Sequence, residues 1–135
     1  MNDKDLCELA KSLRDRAWAP YSRFTVGAAL LDEEGRVFTG CNVENVSYGL
    51  TLCAERNAVA AAVAAGSRRF VAIAVAGGRE GEKCQITAPC GACRQVFAEW
   101  NHPDLRILLA KESGWEERSL RELLPEAFEI GKERG

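Results

Sequence analysis

Phe70-Val71-Ala72-Ile73-Ala74-Val75-Ala76, an unbroken apolar run followed by Gly77-Gly78, is the stretch that decides the predicted fold. An apolar run of this length that stops at glycines is typical of a β-strand with both faces buried. Both faces of such a strand must be covered by other elements, and helices are the usual cover. We therefore predict an inner strand at 70–76, ended by the glycine pair, in a sheet with helices on both sides.

The segments on either side of this strand alternate between helical and strand patterns. In chain order, the predicted elements are a helix at 3–17, a hairpin of strands at 26–31 and 36–40, an alanine-rich helix at 53–65, the strand at 70–76, a helix from 90 to about 101, a strand at 106–110 and a short helix at 119–124. This order predicts a mixed sheet. No linker, repeat or low-complexity tract interrupts it, so we expect residues 1–135 to form a single domain.

Composition limits the class of protein and the class of partner. The chain has 135 residues, 47% of them hydrophobic, and a net charge of −2 with acidic and basic residues interspersed. Such a chain offers no broad positive surface for a phosphate backbone, so we expect a small substrate and no nucleic-acid partner. We also expect no membrane partner and a cytoplasmic location, because no apolar run reaches the length of a membrane span and the first residues lack a secretory signal.

Six cysteines are present, and three of them have the spacing of metal ligands. Cys53 opens one predicted helix, and Cys90 and Cys93 open another, three residues apart and therefore on one face of a helical turn. Helix N-termini favour thiolate over thiol. Zinc prefers four tetrahedral ligands, so three sulfurs leave one position for a water molecule. The pattern therefore predicts a catalytic zinc site, and Cys7 and Cys41 are expected to be free thiols in a reducing cytosol.

Two residues next to Cys53 have the chemistry to support such a site. Glu55 points away from the position of Cys53 on the helix, so it can lie beside the bound water and carry protons. Three thiolates and a hydroxide around one divalent cation leave an excess negative charge, which calls for a nearby cation. Arg56 and Arg94 are the two candidates, and we favour Arg56 because it lies three residues after Cys53 on the same helical face.

An alternative for the same cysteines is a closed zinc knot. Cys84, six residues before Cys90, would supply the fourth sulfur, and the protein would then be a non-catalytic, zinc-stabilised interaction domain. That alternative leaves Glu55 without a purpose.

A second group of residues lies before the first cysteine motif. Asn42 and Glu44 alternate with Val43 and can share one face of an extended segment, where an amide and a carboxylate suit sugar hydroxyls. Polar residues that merely cap a strand end would look the same. Phe24 can stack on a planar base, although an aromatic residue at such a position is more often part of the core.

Four separated motifs together give the chain a resemblance over about residues 5 to 128. They are Ala19-Pro20-Tyr21-Ser22-Arg23-Phe24 with Val26-Gly27-Ala28, Asn42-Val43-Glu44-Asn45, Cys53-Ala54-Glu55-Arg56, and Pro89-Cys90-Gly91-Ala92-Cys93-Arg94-Gln95. In this order they resemble the small, homotetrameric cytidine deaminases. The resemblance implies a three-layer α/β/α sandwich with a mixed five-stranded sheet and one zinc ion per subunit. It also implies hydrolysis of cytidine and deoxycytidine to uridine and deoxyuridine with release of ammonia, in pyrimidine salvage.

The resemblance also implies a role for each matching residue. Zinc would be bound by Cys53, Cys90 and Cys93; Arg56 would neutralise the thiolates; and a zinc-bound hydroxide would attack C4 of the ring while Glu55 shuttles protons. Substrate contacts are implied for Phe24 on the pyrimidine, Asn42 and Glu44 on the ribose, the Ala54 backbone at the polar edge of the base, and Tyr48 and Phe128 from neighbouring subunits. The chain departs from the family pattern after Phe128 and in the charged segment between Gly77 and Gln85.

Two other deaminase functions share parts of this pattern. A deaminase of a nucleoside antibiotic of the blasticidin S kind would have the same metal motif, but the Asn42 and Glu44 pair favours an ordinary ribose. A polynucleotide deaminase would more often have histidine as its first ligand and a basic channel. His102, the only histidine, is far from that position and is interpreted as an exposed loop residue.

Overall fold

The computed structural model describes residues 1–100 and 105–128. Within these ranges the elements are α1 (Asp3–Leu13), β1 (Phe24–Asp32), β2 (Val37–Cys41), α2 (Ala54–Ala64), β3 (Phe70–Arg79), α3 (Gly91–Glu99), β4 (Arg106–Ala110), β5 (Trp115–Ser119) and α4 (Leu120–Leu123), with 3-10 turns at Arg14–Arg16 and Tyr48–Leu50. His102 and the divergent tail at 129–132, both considered above, lie outside the described residues.

The five strands form one sheet in the order β2-β1-β3-β4-β5. Only β3 and β4 are parallel; the β1–β2, β1–β3 and β4–β5 pairs are antiparallel. This arrangement confirms the predicted mixed five-stranded sheet. The strand β3 lies in its centre, and its residues 72–78 are all buried, as the apolar run predicts.

The glycine pair does not end β3, which corrects one sequence-based boundary. Gly77 and Gly78 continue the ladder and pair with Val26 and Thr25 of β1. Each is a site of close approach: a Cβ atom on Gly77 would lie 2.6 Å from the hydroxyl oxygen of Thr87. Glycine therefore serves here to admit a neighbouring segment beside a strand rather than to stop the strand.

The strand β5 has no sequence pattern that predicts a strand. Its sequence, Trp115-Glu116-Glu117-Arg118-Ser119, is mostly charged and lacks an apolar alternation. It is nevertheless paired along its whole length with β4, at the edge of the sheet, where charged side chains are tolerated because one side of the strand faces solvent. Ion pairs such as the one between Arg106 and Glu117 cross the two strands. The helix that follows was predicted and begins at a capping box between Ser119 and Glu122.

Helices cover both faces of the sheet, which makes the fold a three-layer α/β/α sandwich. One core cluster joins α2 and α3 to the sheet, and the other joins α1 to the opposite face through Leu6, Cys7 and Ala10. The helix α1 is shorter than predicted, because the chain tightens into a 3-10 turn at Arg14. Small residues allow α2 to lie close to β2: a Cβ atom on Gly40 would come within 2.3 Å of the Ala54 carbonyl oxygen.

In the described part of the chain, no helix combines the length and the apolar character that crossing a membrane requires.

Candidate active site

Three thiols meet where two helices begin. Cys53 is the N-cap of α2, Cys90 is the N-cap of α3, and Cys93 lies in the first turn of α3. The sulfur of Cys90 is 3.9 Å from that of Cys53 and 3.6 Å from that of Cys93, and all three sulfurs lie within 4.8 Å of one another. In residues 1–100 and 105–128 this is the one group of three or more cysteine, histidine or carboxylate ligands with metal-binding spacing.

The donor set fits zinc. Zinc takes tetrahedral thiolate ligands at roughly 2.3 Å, which separates neighbouring sulfurs by about 3.8 Å. The separations of 3.6 and 3.9 Å are close to that value. Cys93 is buried, Cys53 is half-buried and Cys90 is exposed, so the cluster is reached from one side. Three protein ligands and one open side are the features of a catalytic rather than a closed zinc site.

The electrostatics of the cluster favour thiolate at its edge. A hydrogen bond from Cys93 and the nearby guanidinium of Arg56 outweigh burial and lower the pKa of Cys53 to about 5. The hydrogen bond to Cys53 and burial raise the pKa of Cys93, the inner sulfur. A bound divalent cation would reverse that shift, because metal coordination deprotonates thiols.

Arg56 is the cation next to the cluster. Its Nη2 atom lies 3.4 Å from the sulfur of Cys53 and 3.3 Å from the carbonyl oxygen of Thr51. Its Nε atom is buried and has no hydrogen-bond partner. Arg94 points elsewhere, since it donates to the carbonyl oxygens of Pro89 and Leu123, each at 2.8 Å. The structure therefore brings Arg56, and not Arg94, against the sulfurs.

Glu55 is a buried carboxyl group in the first turn of α2. Only 4% of the residue is exposed, and burial raises the pKa of Glu55 to about 7. Ala54, the first residue of the same helix, is fully buried. A carboxyl group that titrates near neutrality can both accept and return a proton at neutral pH.

Cys84 does not join the sulfur cluster. It is buried in the other hydrophobic cluster, together with Leu6, Cys7 and Ala10 of α1. The three sulfurs instead lie on the face of the sheet that α2 and α3 cover, where Cys93 packs with Phe97. The position of Cys84 therefore excludes it as a fourth ligand, and with it the closed four-cysteine knot.

Asn42 joins two strands rather than pointing freely outward. Its Oδ1 atom accepts from the Val26 amide at 2.8 Å, and its Nδ2 atom donates to the Phe24 carbonyl at 2.9 Å. The residue is buried. Half of the hydrogen-bonding capacity of its side chain remains, namely one N–H and one oxygen lone pair. Both interpretations made above, a strand cap and a ligand group, are compatible with one side chain.

Glu44 holds a turn and also borders a cavity. Its carboxylate accepts hydrogen bonds from the amides of Tyr21 and Ser22, at 3.0 and 3.1 Å, and from the Ser22 hydroxyl. These bonds overcome the effect of partial burial and hold the pKa of Glu44 below its usual value, so the group stays ionised. The cavity has a volume of about 370 Å³ and is lined by Tyr21, Ser22, Glu44, Tyr48 and Thr51.

The three aromatic residues implied in substrate contact occupy different environments. Phe24 is half-buried at the start of β1. Tyr48 is 74% exposed and makes an edge-on contact with the ring of Tyr21, with 6.0 Å between centroids. Phe128 is 72% exposed, and its carbonyl oxygen accepts a hydrogen bond from Gln95 of α3 at 3.0 Å.

Sequence reasoning assigned no role to Ser22, Tyr21 or Thr51. The structure places Ser22 in contact with the Glu44 carboxylate and all three residues around the same cavity. A usable signal was present, because serine after Pro-Tyr and two residues before a strand is typical of a turn closed by a hydroxyl group.

Comparisons with known proteins agree with this geometry. The family model described as the cytidine and deoxycytidylate deaminase zinc-binding region matches residues 1–108. The cytidine deaminase of Sporosarcina psychrophila is 45% identical over 129 residues, covering 95% of this chain and 92% of that protein. That of Mycobacterium tuberculosis is 49% identical over 112 residues, covering 83% and 78%. The crystal structure of the Burkholderia pseudomallei cytidine deaminase is 50% identical, with a TM-score of 0.86, over 95% of this chain and 100% of that one.

Proposed function

This chain belongs to the cytidine deaminase family of zinc-binding enzymes, and on that premise we propose that it hydrolyses cytidine and deoxycytidine to uridine and deoxyuridine with release of ammonia. One observation carries the proposal. The three sulfurs at the starts of α2 and α3 form an open-sided metal site, and a buried carboxyl group, Glu55, stands two residues from the first of them.

Cys53, Cys90 and Cys93 are the proposed ligands of one zinc ion per subunit. When bound, zinc lowers the pKa of a water molecule to roughly 7 and so supplies a nucleophile at neutral pH. The residues of the chain provide the rest of the chemistry. Arg56 offsets part of the negative charge of the sulfurs, because its guanidinium lies 3.4 Å from Cys53.

Glu55 is the proposed carrier of protons. Its carboxylate accepts a proton from the water that attacks C4 and passes it to N3 of the ring. It then accepts the proton of the new C4 hydroxyl and passes it to the amino group, which leaves as ammonia while the C4 carbonyl forms. Both steps require a group that exchanges its proton near neutral pH. The burial of Glu55 provides that property.

Asn42 and Glu44 are the proposed contacts to the sugar, with Phe24 stacked on the base and the backbone of Ala54 at its polar edge. After their bonds to the turn and to β1, Asn42 retains one N–H, and the carboxylate of Glu44 retains unused lone pairs. A sugar hydroxyl can donate to Glu44 and accept from Asn42 at the same time. Ribose and deoxyribose both carry such a hydroxyl.

The proposed assembly is a homotetramer whose subunits share active sites. A contiguous segment around Tyr48 supports this proposal because its large apolar side chains are exposed: Val43, Val46, Tyr48, Leu50 and Leu52. An exposed apolar patch of this kind is typical of a protein interface. Tyr48 and Phe128 are the proposed contributions to a neighbouring site. We further propose that residues 1–135 form a single domain that acts on a nucleoside in cytoplasmic pyrimidine salvage. Neither a nucleic acid nor a membrane is a proposed partner.

The test is direct hydrolysis by the purified protein after its zinc content has been measured. Cytidine and deoxycytidine are followed by the loss of cytosine absorbance, with blasticidin S as a parallel substrate. We expect turnover of both nucleosides. Exclusive turnover of blasticidin S would instead favour the antibiotic deaminase, and zinc-loaded protein without any deaminase activity would contradict the proposal.

The role of Glu55 is tested in the same assay. Glu55→Gln should bind zinc normally and lose turnover by about 10²–10⁴-fold, because a neutral amide cannot exchange the proton. Glu82→Gln, an exposed carboxylate in the turn after β3, is the matched control and should retain wild-type turnover. Residual activity of Glu55→Gln within about tenfold of wild type would remove Glu55 from the proton path.

A further inference from the structure

The turn that precedes β1 contains a strained residue. Arg23 has a φ angle of +60°, one of two non-glycine residues in the described chain with a positive value. A side chain with a Cβ atom adopts this left-handed conformation only at an energetic cost, so the surrounding contacts must enforce it. The backbone of Arg23 is held by two hydrogen bonds: its amide donates to the Ala19 carbonyl oxygen at 2.9 Å, and its carbonyl oxygen accepts from the Glu80 amide at 2.7 Å. Arg23 stands directly before Phe24, the residue proposed to stack on the base.

The other contacts of the turn meet at Ser22. Its hydroxyl donates to the Glu44 carboxylate and accepts a hydrogen bond from the amide of Phe24 at 3.0 Å. The second oxygen of the same carboxylate accepts from the amides of Tyr21 and Ser22. The hydroxyl is therefore the link between a carboxylate on one segment and the backbone of the aromatic residue on another.

The carbonyl side of Phe24 is held by Asn42, the second residue proposed to contact the sugar. Its carbonyl oxygen accepts from the side chain of Asn42 at 2.9 Å. The backbone of Phe24 is thus fastened on its amide side through Ser22 to Glu44, and on its carbonyl side directly to Asn42. The two side chains proposed to hold the sugar also hold the residue proposed to hold the base.

We propose that Ser22 is a positioning residue for the nucleoside: its hydroxyl couples the Glu44 carboxylate to Phe24 and fixes the ring at a set distance from the sugar-binding side chains. This inference rests on the proposed function for the assignment of Phe24, Asn42 and Glu44. Ser22 acts through those residues. Its contribution is preorganisation, because a turn already held in the strained conformation need not be ordered when the nucleoside binds.

Substitutions at Ser22 separate this role from simple packing. Ser22→Ala removes both hydrogen bonds, whereas Ser22→Thr keeps the hydroxyl and adds a methyl group at an exposed position. Ser12→Ala is the matched control, since that hydroxyl bonds to the carbonyl oxygen of Leu9 on α1, away from the turn.

Steady-state kinetics with cytidine give the first readout. For Ser22→Ala we expect KM to rise by about 10–100-fold, the equivalent of one hydrogen bond to a charged group, with kcat within about threefold of wild type. Ser22→Thr and Ser12→Ala should stay within about threefold of wild type in both constants. Zinc content should be unchanged in all three. The inference would be overturned if KM were unchanged in Ser22→Ala, or if kcat fell by as large a factor as KM rose. A raised KM in Ser22→Thr would overturn it as well.

Backbone hydrogen exchange gives a readout that does not depend on activity. In Ser22→Ala the amide of Phe24 loses its acceptor, whereas the amide of Ser22 keeps its bond to Glu44. Exchange of the Phe24 amide, followed in the peptide that covers residues 20–26, should therefore speed up by about tenfold or more. In Ser22→Thr it should not. If the wild-type protein fails to deaminate cytidine, the proposed function fails, and unchanged exchange in Ser22→Ala would independently show that the hydroxyl does not organise the turn.

Discussion

The two ends of the proposed active site use their side chains in opposite ways. The metal end comprises the three cysteines with Glu55 and Arg56, and the sugar end comprises Asn42, Glu44 and the turn from Tyr21 to Phe24. At the metal end neither N-cap cysteine forms a side-chain capping bond, so the thiols remain available for a ligand. At the sugar end both polar side chains already bind backbone groups.

This difference has a physical origin. Sulfur is a weak hydrogen-bond partner, so a thiol at a helix start can be left for a metal without leaving a strong polar group unsatisfied. A buried amide or carboxylate would be costly without partners, so it binds the backbone and keeps only its spare capacity for a ligand. Substitutions at the metal end should therefore affect metal and rate, and those at the sugar end should affect folding and KM together.

The largest expected effect separates the two cysteine environments. Cys53→Ala should lower zinc affinity by more than the roughly 10–100-fold that is typical of substitutions beyond the metal ligands, because one of three protein ligands is gone. Cys84→Ala should keep one zinc per chain, since Cys84 packs against α1 on the other side of the sheet. Metal analysis after dialysis against a chelator measures both. Loss of zinc from Cys84→Ala would restore the closed-knot interpretation.

A smaller effect is expected for the cation of the metal end. Arg56→Gln should lower zinc affinity by about 10–100-fold, since its role is to offset the charge of the sulfurs. Arg69→Gln, an exposed arginine with a distant ion pair to Glu33, is the control. Competition with a chromogenic chelator gives the affinity. Wild-type affinity in Arg56→Gln would show that the sulfurs need no such partner.

At the sugar end, Asn42→Ala should reduce both the stability of the fold and the affinity for substrate. Removal of the bonds to Val26 and Phe24 should lower the free energy of unfolding by about 1–3 kcal/mol, and the loss of the proposed contact to the sugar should raise KM. Gln85→Ala, an amide side chain at an exposed position outside both ends of the site, is the matched control. Urea unfolding and kinetics on the same preparations provide the measurement. A raised KM with unchanged stability would mean that Asn42 serves the ligand alone.

The smallest effect is a pH dependence at the sugar end. The folded-state pKa of Glu44 lies below its ordinary value of 4.5, despite partial burial, because Ser22 and Tyr21 donate to the carboxylate. A lowered pKa contributes stability that is fully present above the unfolded value and disappears as pH falls through the folded value. The difference in unfolding temperature between wild type and Glu44→Gln should therefore be constant above about pH 4.5 and shrink below it. If the difference in unfolding temperature shrank between pH 6 and 8 instead, the pH dependence would belong to another titratable group.

Parts of both ends could be predicted from local sequence, and parts could not. Cysteines at helix starts define their own geometry, because the N-cap and the third residue of a helix face the same way whatever surrounds them. The alternation of Asn42 and Glu44 was equally visible. Their bonds to Phe24, Val26, Tyr21 and Ser22 were not, since these partners lie about 20 residues away and depend on how β1 packs.

The edge strand and the fate of Cys84 show the same limit. No pattern in the charged segment from Trp115 to Ser119 predicts a strand, because an edge strand is selected by the free side of β4 rather than by its own apolar residues. Sequence spacing allowed Cys84 as a fourth ligand. Only packing against α1 removes it.

By itself, the amino-acid sequence determined the buried strand, most of the helices and the three cysteines with Glu55, because these depend on periodicity and on positions within single elements. The tertiary structure decided which arginine meets the sulfurs, which cysteine is left out, and how Ser22 links Glu44 to Phe24. Those contacts join residues from separate elements, and their distances follow from the register and packing of the whole sheet rather than from any local pattern.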